Sequence, residues 1–204
     1  PAFSFLPELI RDQEQGTPAQ ADLVIEKMIE LNDSSSEAHL AAHDYWKRTG
    51  KEDRAKQALE RAYELDPEAP QVVLLKTAQA IDEQRLDDAN SLVRAALEKH
   101  PDEAALYRWA AVVERRRKQP DEEIKIVQQG LERLPESEGL LEYLVGAQLD
   151  RGNLDEARKA YLKLKATGLT ELANDYFEGQ FLMSEKKWNA AVERFHKAKS
   201  KLLC

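Results

Sequence analysis

The residues best spaced for chemistry are His39 and His43 in His39-Leu40-Ala41-Ala42-His43, four positions apart and so on one helix face, a spacing zinc can use. Leu40 stands where a metalloprotease helix of the H-E-x-x-H kind carries its glutamate base. A metal site needs further converging ligands, so the expectation is two packed, hydrogen-bonded histidines and no metal. His100 and His196 are isolated. The only basic run, Arg115-Arg116-Arg117-Lys118, precedes the acidic Asp121-Glu122-Glu123. It reads as the last turn of a helix, where cations complement the dipole, and the alternative is a contact for an acidic peptide or a phosphate. Asn32-Asp33-Ser34 would accept a glycan only in a secreted chain. Cys204, the single cysteine, can form no intramolecular disulfide. With no phosphate-cradling glycine loop and no nucleophile elbow, the chain is expected to be no enzyme and to hold no cofactor.

The elements that would carry these residues are helices. Of 204 residues, 33% are charged and 42% hydrophobic, but only 7% are aromatic. That balance suits solvated amphipathic helices better than strands. A formal charge of −8 counts against a nucleic-acid partner, because phosphate binding needs a basic surface. The longest apolar stretches, such as Val72-Val73-Leu74-Leu75, are too short for direct membrane insertion. No signal peptide is evident, so a soluble chain is expected, in the cytoplasm rather than the periplasm. Because it begins with Pro1 and not Met, it is expected to be a piece of a longer protein.

Pro67, Pro101 and Pro135 lie 34 residues apart, each after a similar phrase: ALERAYELDP, LVRAALEKHP and VQQGLERLP. Proline disfavours a helical residue ahead of it, so each phrase is the end of a helix. The period divides the chain into repeats at about 2–35, 36–69, 70–103, 104–137, 138–171 and 172–204. Small residues recur at Ala21, Ala55, Ala89, Ala157 and Ala191, and the fourth repeat departs with Glu123. Four residues on stand Ile25, Leu59, Val93, Val127, Tyr161 and Phe195, and three further on Met28, Ala62, Ala96, Gly130, Leu164 and Ala198. Small residues let antiparallel helices approach, and large ones fill the space between hairpins. Turns are expected at Gly16-Thr17-Pro18, Thr49-Gly50-Lys51, Lys118-Gln119-Pro120 and Arg151-Gly152-Asn153. Each repeat then holds a helix A over its first 14 or so positions and a helix B over positions 18 to 31.

The small–large–small helix B with its terminal proline, at Ala55, Leu59, Ala62 and Pro67, resembles the tetratricopeptide repeat family. The repeats at 70–103, 138–171 and 172–204 match nearly as well, with Gly179 as the small residue that family prefers in helix A. There are departures: Pro7 inside the first helix A, Ala166-Thr167-Gly168 without a proline, and Lys76 and Glu178 where the family prefers leucine. The resemblance implies an all-α fold, an α-solenoid of about six stacked helix-turn-helix repeats forming a right-handed superhelix. The whole of 1–204 would be a single array.

In that family helix A of successive repeats lines the concave surface, and its positions 2, 5, 9, 12 and 13 meet the ligand. The resemblance therefore implies a partner-binding face with Leu40, Asp44 and Lys47, then Leu74, Ala78 and Ile81. It continues through Arg108, Val112 and Arg115, then Glu142, Gly146 and Leu149, and ends at Tyr176, Gln180 and Met183. Chaperone-binding members hold a carboxylate with lysines, arginine and asparagines on this face. Here Lys47 and Arg108 are present without the asparagines. The aliphatic residues suit an amphipathic helix or extended segment lying in a groove. Repeats one to three hold 12 basic and 22 acidic residues, and repeats four to six 18 and 16, so a partner of opposite polarity could be oriented. The expected function is a protein-interaction scaffold that binds a protein or peptide, within a bacterial-type assembly or secretion machine. The alternatives are the regulatory or substrate-recruiting arm of a larger enzyme, and self-association through Phe195, Ala198 and Leu202 of the uncapped last repeat.

Overall fold

A computed structural model describes residues 18–202, and their side chains through Ser200. Pro7, Gly16-Thr17, Cys204 and the side chain of Leu202, all used in the sequence reading, lie outside what is described. Among the described residues there are eleven α-helices and no strand. They are α1 (Pro18–Leu31), α2 (Ser36–Arg48), α3 (Glu52–Leu65), α4 (Pro70–Asp82), α5 (Leu86–Lys99) and α6 (Ala104–Arg116). The remainder are α7 (Pro120–Arg133), α8 (Glu138–Asp150), α9 (Leu154–Ala166), α10 (Glu171–Ser184) and α11 (Trp188–Leu202).

The odd-numbered helices are the B helices. From α1 at Pro18 to α11 at Trp188, each starts 34 residues after the last. They open at position 17 of each repeat rather than 18, because helix A ends at position 13 and not 14 while the A–B turn keeps three residues. The A helices keep the same step from Ser36 to Glu138, but α10 opens one residue early, at Glu171. There the chain has no proline, and Thr170 caps the helix by accepting a hydrogen bond from the Ala173 amide, 3.3 Å away.

Among the described residues, each A–B turn is built around one left-handed residue. These are Gly50, Gln84, Lys118, Gly152 and Lys186, with φ of 73°, 60°, 61°, 74° and 59°. Each closes its A helix in the same way. At the second turn Gln84 N–H donates to Ile81 O (3.0 Å) and Arg85 N–H reaches back to Ala80 O (2.8 Å). This pattern satisfies the orphan carbonyls of a helix end and needs positive φ, which glycine adopts without strain.

At the small–large–small positions of α3, Ala55, Leu59 and Ala62 are exposed by no more than 3%, while Phe195 on α11 is half-buried. At the same place in α7, a Cβ on Gly130 would come within 2.8 Å of both Leu140 Cδ1 and Tyr107 Cγ. On α10, a Cβ on Gly179 would meet the Phe195 ring at 2.7 Å, so the helix pair depends on glycine there. The chain forms two compact units, residues 1–100 and 101–204. In the first, Ala21, Ile25, Ala38, Ala42, Tyr45 and Trp46 form one apolar core. In the second, the main cluster joins Leu141, Val145, Ala157, Tyr161, Leu164 and Phe181.

Candidate functional site

The two histidines of α2 are structural. His39 Nε2 lies 3.0 Å from Asp33 O and His43 Nδ1 2.9 Å from Ala55 O, and both rings are buried. Among the described residues no group of three or more His, Cys, Asp or Glu is arranged to hold a metal ion.

The predicted face divides by unit. In the first, Asp44 and Lys47 on α2 are exposed, Leu40 is half-buried, and on α4 Leu74 and Ala78 are half-buried. Ile81, only 5% exposed, packs inside the unit. In the second, Arg108 and Arg115 on α6, Glu142 on α8, and Tyr176 and Met183 on α10 are exposed, with Val112, Gly146 and Gln180 half-buried. Leu149, 8% exposed, belongs to the core cluster. Ile81 and Leu149 hold the same place one turn before the A–B corner, and the residues at that place in other repeats, Lys47, Arg115 and Met183, are exposed. The backbone of α8 is open beside Gly146, where an added Cβ would meet no atom within 4 Å.

The basic run is divided between roles. Arg117 pairs with the buried Glu114 at 3.3 Å, and Lys118 is the left-handed residue of the turn. Arg115 donates Nε to Glu123 Oε1 (2.7 Å), lies 3.3 Å from Asp150 Oδ2 and sits over the Tyr143 ring, 5.1 Å from its centroid. Tyr143 donates its hydroxyl to the same Glu123 oxygen at 2.9 Å. Glu123 is 5% exposed, so the break in the small-residue pattern is a buried carboxylate with two donors. Burial is the largest single influence on Arg115 and works against its charge, but the Glu123 hydrogen bond together with the Tyr143, Glu123 and Asp150 interactions outweighs it and raises the guanidinium's pKa. Burial first, then the Glu123 hydrogen bond, drives the Tyr143 phenol upward.

Two further hollows lie away from the predicted face, each lined by consecutive B helices and the A helix between them. One, about 580 Å³, involves Tyr63, Val73, Leu92 and Ala95. The other, about 600 Å³, involves the equivalent Leu131, Leu141, Ala160 and Lys163, each 68 residues (two repeats) further on. Its neighbour Leu162 is 64% exposed. Sequence reasoning passed over this side because helix-B residues were read as contacts between hairpins. The signal was an apolar Leu162 among lysines.

Comparison with known proteins agrees with this architecture. The tetratricopeptide repeat family model matches residues 79–138. No curated protein matches the chain by sequence. PilF of Pseudomonas aeruginosa superposes with a TM-score of 0.68 at 15% identity, covering 98% of this chain and 90% of PilF. PilW, a type IV pilus biogenesis factor, gives 0.73 at 14% identity, covering 98% and 92%. A tetratricopeptide repeat protein of Parabacteroides merdae gives 0.74 at 16% identity, covering 97% and 77%. The 34-residue helix spacing, the family match over residues 79–138 and these likenesses along most of the chain show a tetratricopeptide-repeat fold.

Proposed function

We propose that the chain is one continuous array acting as a protein-interaction scaffold, whose A helices receive a helical or extended segment of a protein partner without catalysis. The tetratricopeptide fold supports a protein–protein scaffold in general. The observation that carries the finer reading is the openness of the A-helix face: Tyr176 and Met183, seven residues apart on α10, each stand 45% exposed. Large apolar side chains held half in water are suited to become anchors when a partner covers them. The likeness to PilW and PilF along their lengths supports a place in a multi-protein assembly rather than a transient signalling step. No helix of the described residues is long and apolar enough to cross a membrane. The array acts on protein, not nucleic acid, and works in the cytoplasm; self-association through the last hairpin is secondary.

The hollows between B helices favour a second docking side, and photo-crosslinking separates the two. Crosslinkers at Leu40, Leu74, Val112 and Met183 are expected to capture the partner. Capture only from Leu92 and Leu162 would move the binding surface to the B helices.

A further inference from the structure

In the first unit, a cavity of about 230 Å³ opens between the C-terminal half of α2, the start of α3 and the C-terminal half of α4. Its floor is apolar, formed by Ala55, Leu59 and Leu75. Its polar walls are uneven. His43 commits Nδ1 to the Ala55 carbonyl, and Lys47 pairs with Glu52 at 2.9 Å. Gln79 donates Nε2 to Glu83 Oε1 (3.1 Å), which leaves its own Oε1 enclosed and accepting no hydrogen bond. An enclosed acceptor with no donor is unfavourable, so it favours any ligand that brings one. Asp82, exposed at the rim, makes no ion pair or hydrogen bond among the described residues. Glu83 is held as a carboxylate, its pKa lowered by Arg85 and Gln79.

The second unit shows what this place in the repeat holds when it is filled. Two repeats on, Lys47, Ala55, Leu75 and Asp82 become Arg115, Glu123, Tyr143 and Asp150. There the chain's own guanidinium occupies the site, on the Tyr143 ring, bonded to Glu123 and beside Asp150. One repeat later the corresponding Leu149, Ala157 and Phe177 fill it with apolar side chains. The first unit has neither filling.

We propose that this cavity receives the guanidinium of an arginine on the protein partner, a proposal that rests on the reading that α2 and α4 face that partner. The aliphatic stem lies on Leu59 and Leu75, and the planar fork donates to Gln79 Oε1 and to Asp82. Arginine fits better than lysine because a guanidinium sheds water more readily and brings several donors in fixed directions. Lys56, also lining the cavity, opposes a cation there, and its charge is shared with Glu83.

The test is a titration of the full ¹⁵N-labelled chain with N-acetyl-arginine methylamide, and with the neutral citrulline analogue. The expected result is saturable movement of the Gln79 side-chain amide and of backbone amides 78–83, with citrulline roughly tenfold weaker or worse, since charged hydrogen bonds are the stronger ones. Gln79→Leu should lose the response. The combination Lys47→Arg, Ala55→Glu and Leu75→Tyr, which installs the second unit's own filling, should abolish it with helicity unchanged. If that combination fails to fold, Gln79→Leu alone decides. Equal response to citrulline, a full response from Gln79→Leu, or shifts scattered over exposed carboxylates such as Glu64 and Glu98 would overturn the proposal. Partner crosslinks on Leu40 and Leu74 with no arginine response would overturn this inference alone. Crosslinks confined to B helices would overturn the A-helix reading whatever the titration gave.

Discussion

Glu123 sits where Ala55 and Ala157 sit in other repeats, and its buried carboxylate accepts from Arg115 and Tyr143 at 2.7 and 2.9 Å. A removed acceptor that strands two donors costs more than its own net hydrogen bonds, so Glu123→Ala should destabilise the chain by about 1–3 kcal/mol although alanine is the repeat's usual residue. Adding Tyr143→Leu, as in the first unit, should recover part of that loss. Urea midpoints would show it, and a neutral Glu123→Ala would mean the cluster is not coupled. The other departures resolve alike. Lys76 is paired with Glu60 at 2.6 Å and lies over Tyr63, and Glu178 accepts from Tyr161 at 3.1 Å. Burial, and next the Glu178 charge, push the Tyr161 phenol up to about 12. A raised pKa means that the fold holds the proton. The associated stability is complete below about pH 10, where a free phenol titrates, and is lost as pH climbs toward 12. Tyr161→Phe should flatten the stability decline in that window and remove one late-titrating phenol from the absorbance at 295 nm.

At the scale of elements, the turns are the clearest case of one backbone demand met by different residues. Gly50 and Gly152 meet it without strain, while Gln84, Lys118 and Lys186 hold φ near 60° with a side chain attached. A non-glycine residue there costs of order 1 kcal/mol. Lys118→Gly should therefore raise stability by roughly 0.5–1 kcal/mol, and Gly152→Ala should lower it by about as much. If Lys118→Gly is destabilising, the lysine side chain contributes more than its backbone costs. This also marks how far the sequence was legible. Turns announced by glycine or proline could be read directly, whereas Gln84 and Lys186 carry no local signal and emerge only from the 34-residue register. Helix type and buried small residues were legible because periodicity reports packing. The burial of Ile81 and Leu149 was not, because the same position along helix A is exposed at Lys47, Arg115 and Met183. The Arg115–Glu123–Tyr143 cluster was half-visible: Glu123 broke the pattern, but its partners come from α6 and α8 and meet only in three dimensions.

Across the whole molecule, a repeat chain is stabilised by the hairpins and by the contacts between neighbours, so damage should spread by adjacency. Leu141 is fully buried and belongs to the cluster with Val145, Tyr161, Leu164 and Phe181 on α8, α9 and α10. Leucine-to-alanine changes in such cores cost about 2–5 kcal/mol. The core of α1, α2 and α3 shares none of those residues, since it is built on Ile25, Ala42, Tyr45 and Trp46. Sites without shared partners behave independently to within about 0.5 kcal/mol. Native-state hydrogen exchange on the intact chain should therefore show Leu141→Ala lowering protection in α8, α9 and α10 while the amides of α2 and α3 keep theirs. A uniform fall in protection from α2 to α10 would mean that the array unfolds as one cooperative body. Binding energy gained on one A helix would then be felt by all of them. A graded fall would leave each hairpin free to tighten on its own stretch of partner, which is what a scaffold with different side chains at equivalent positions requires.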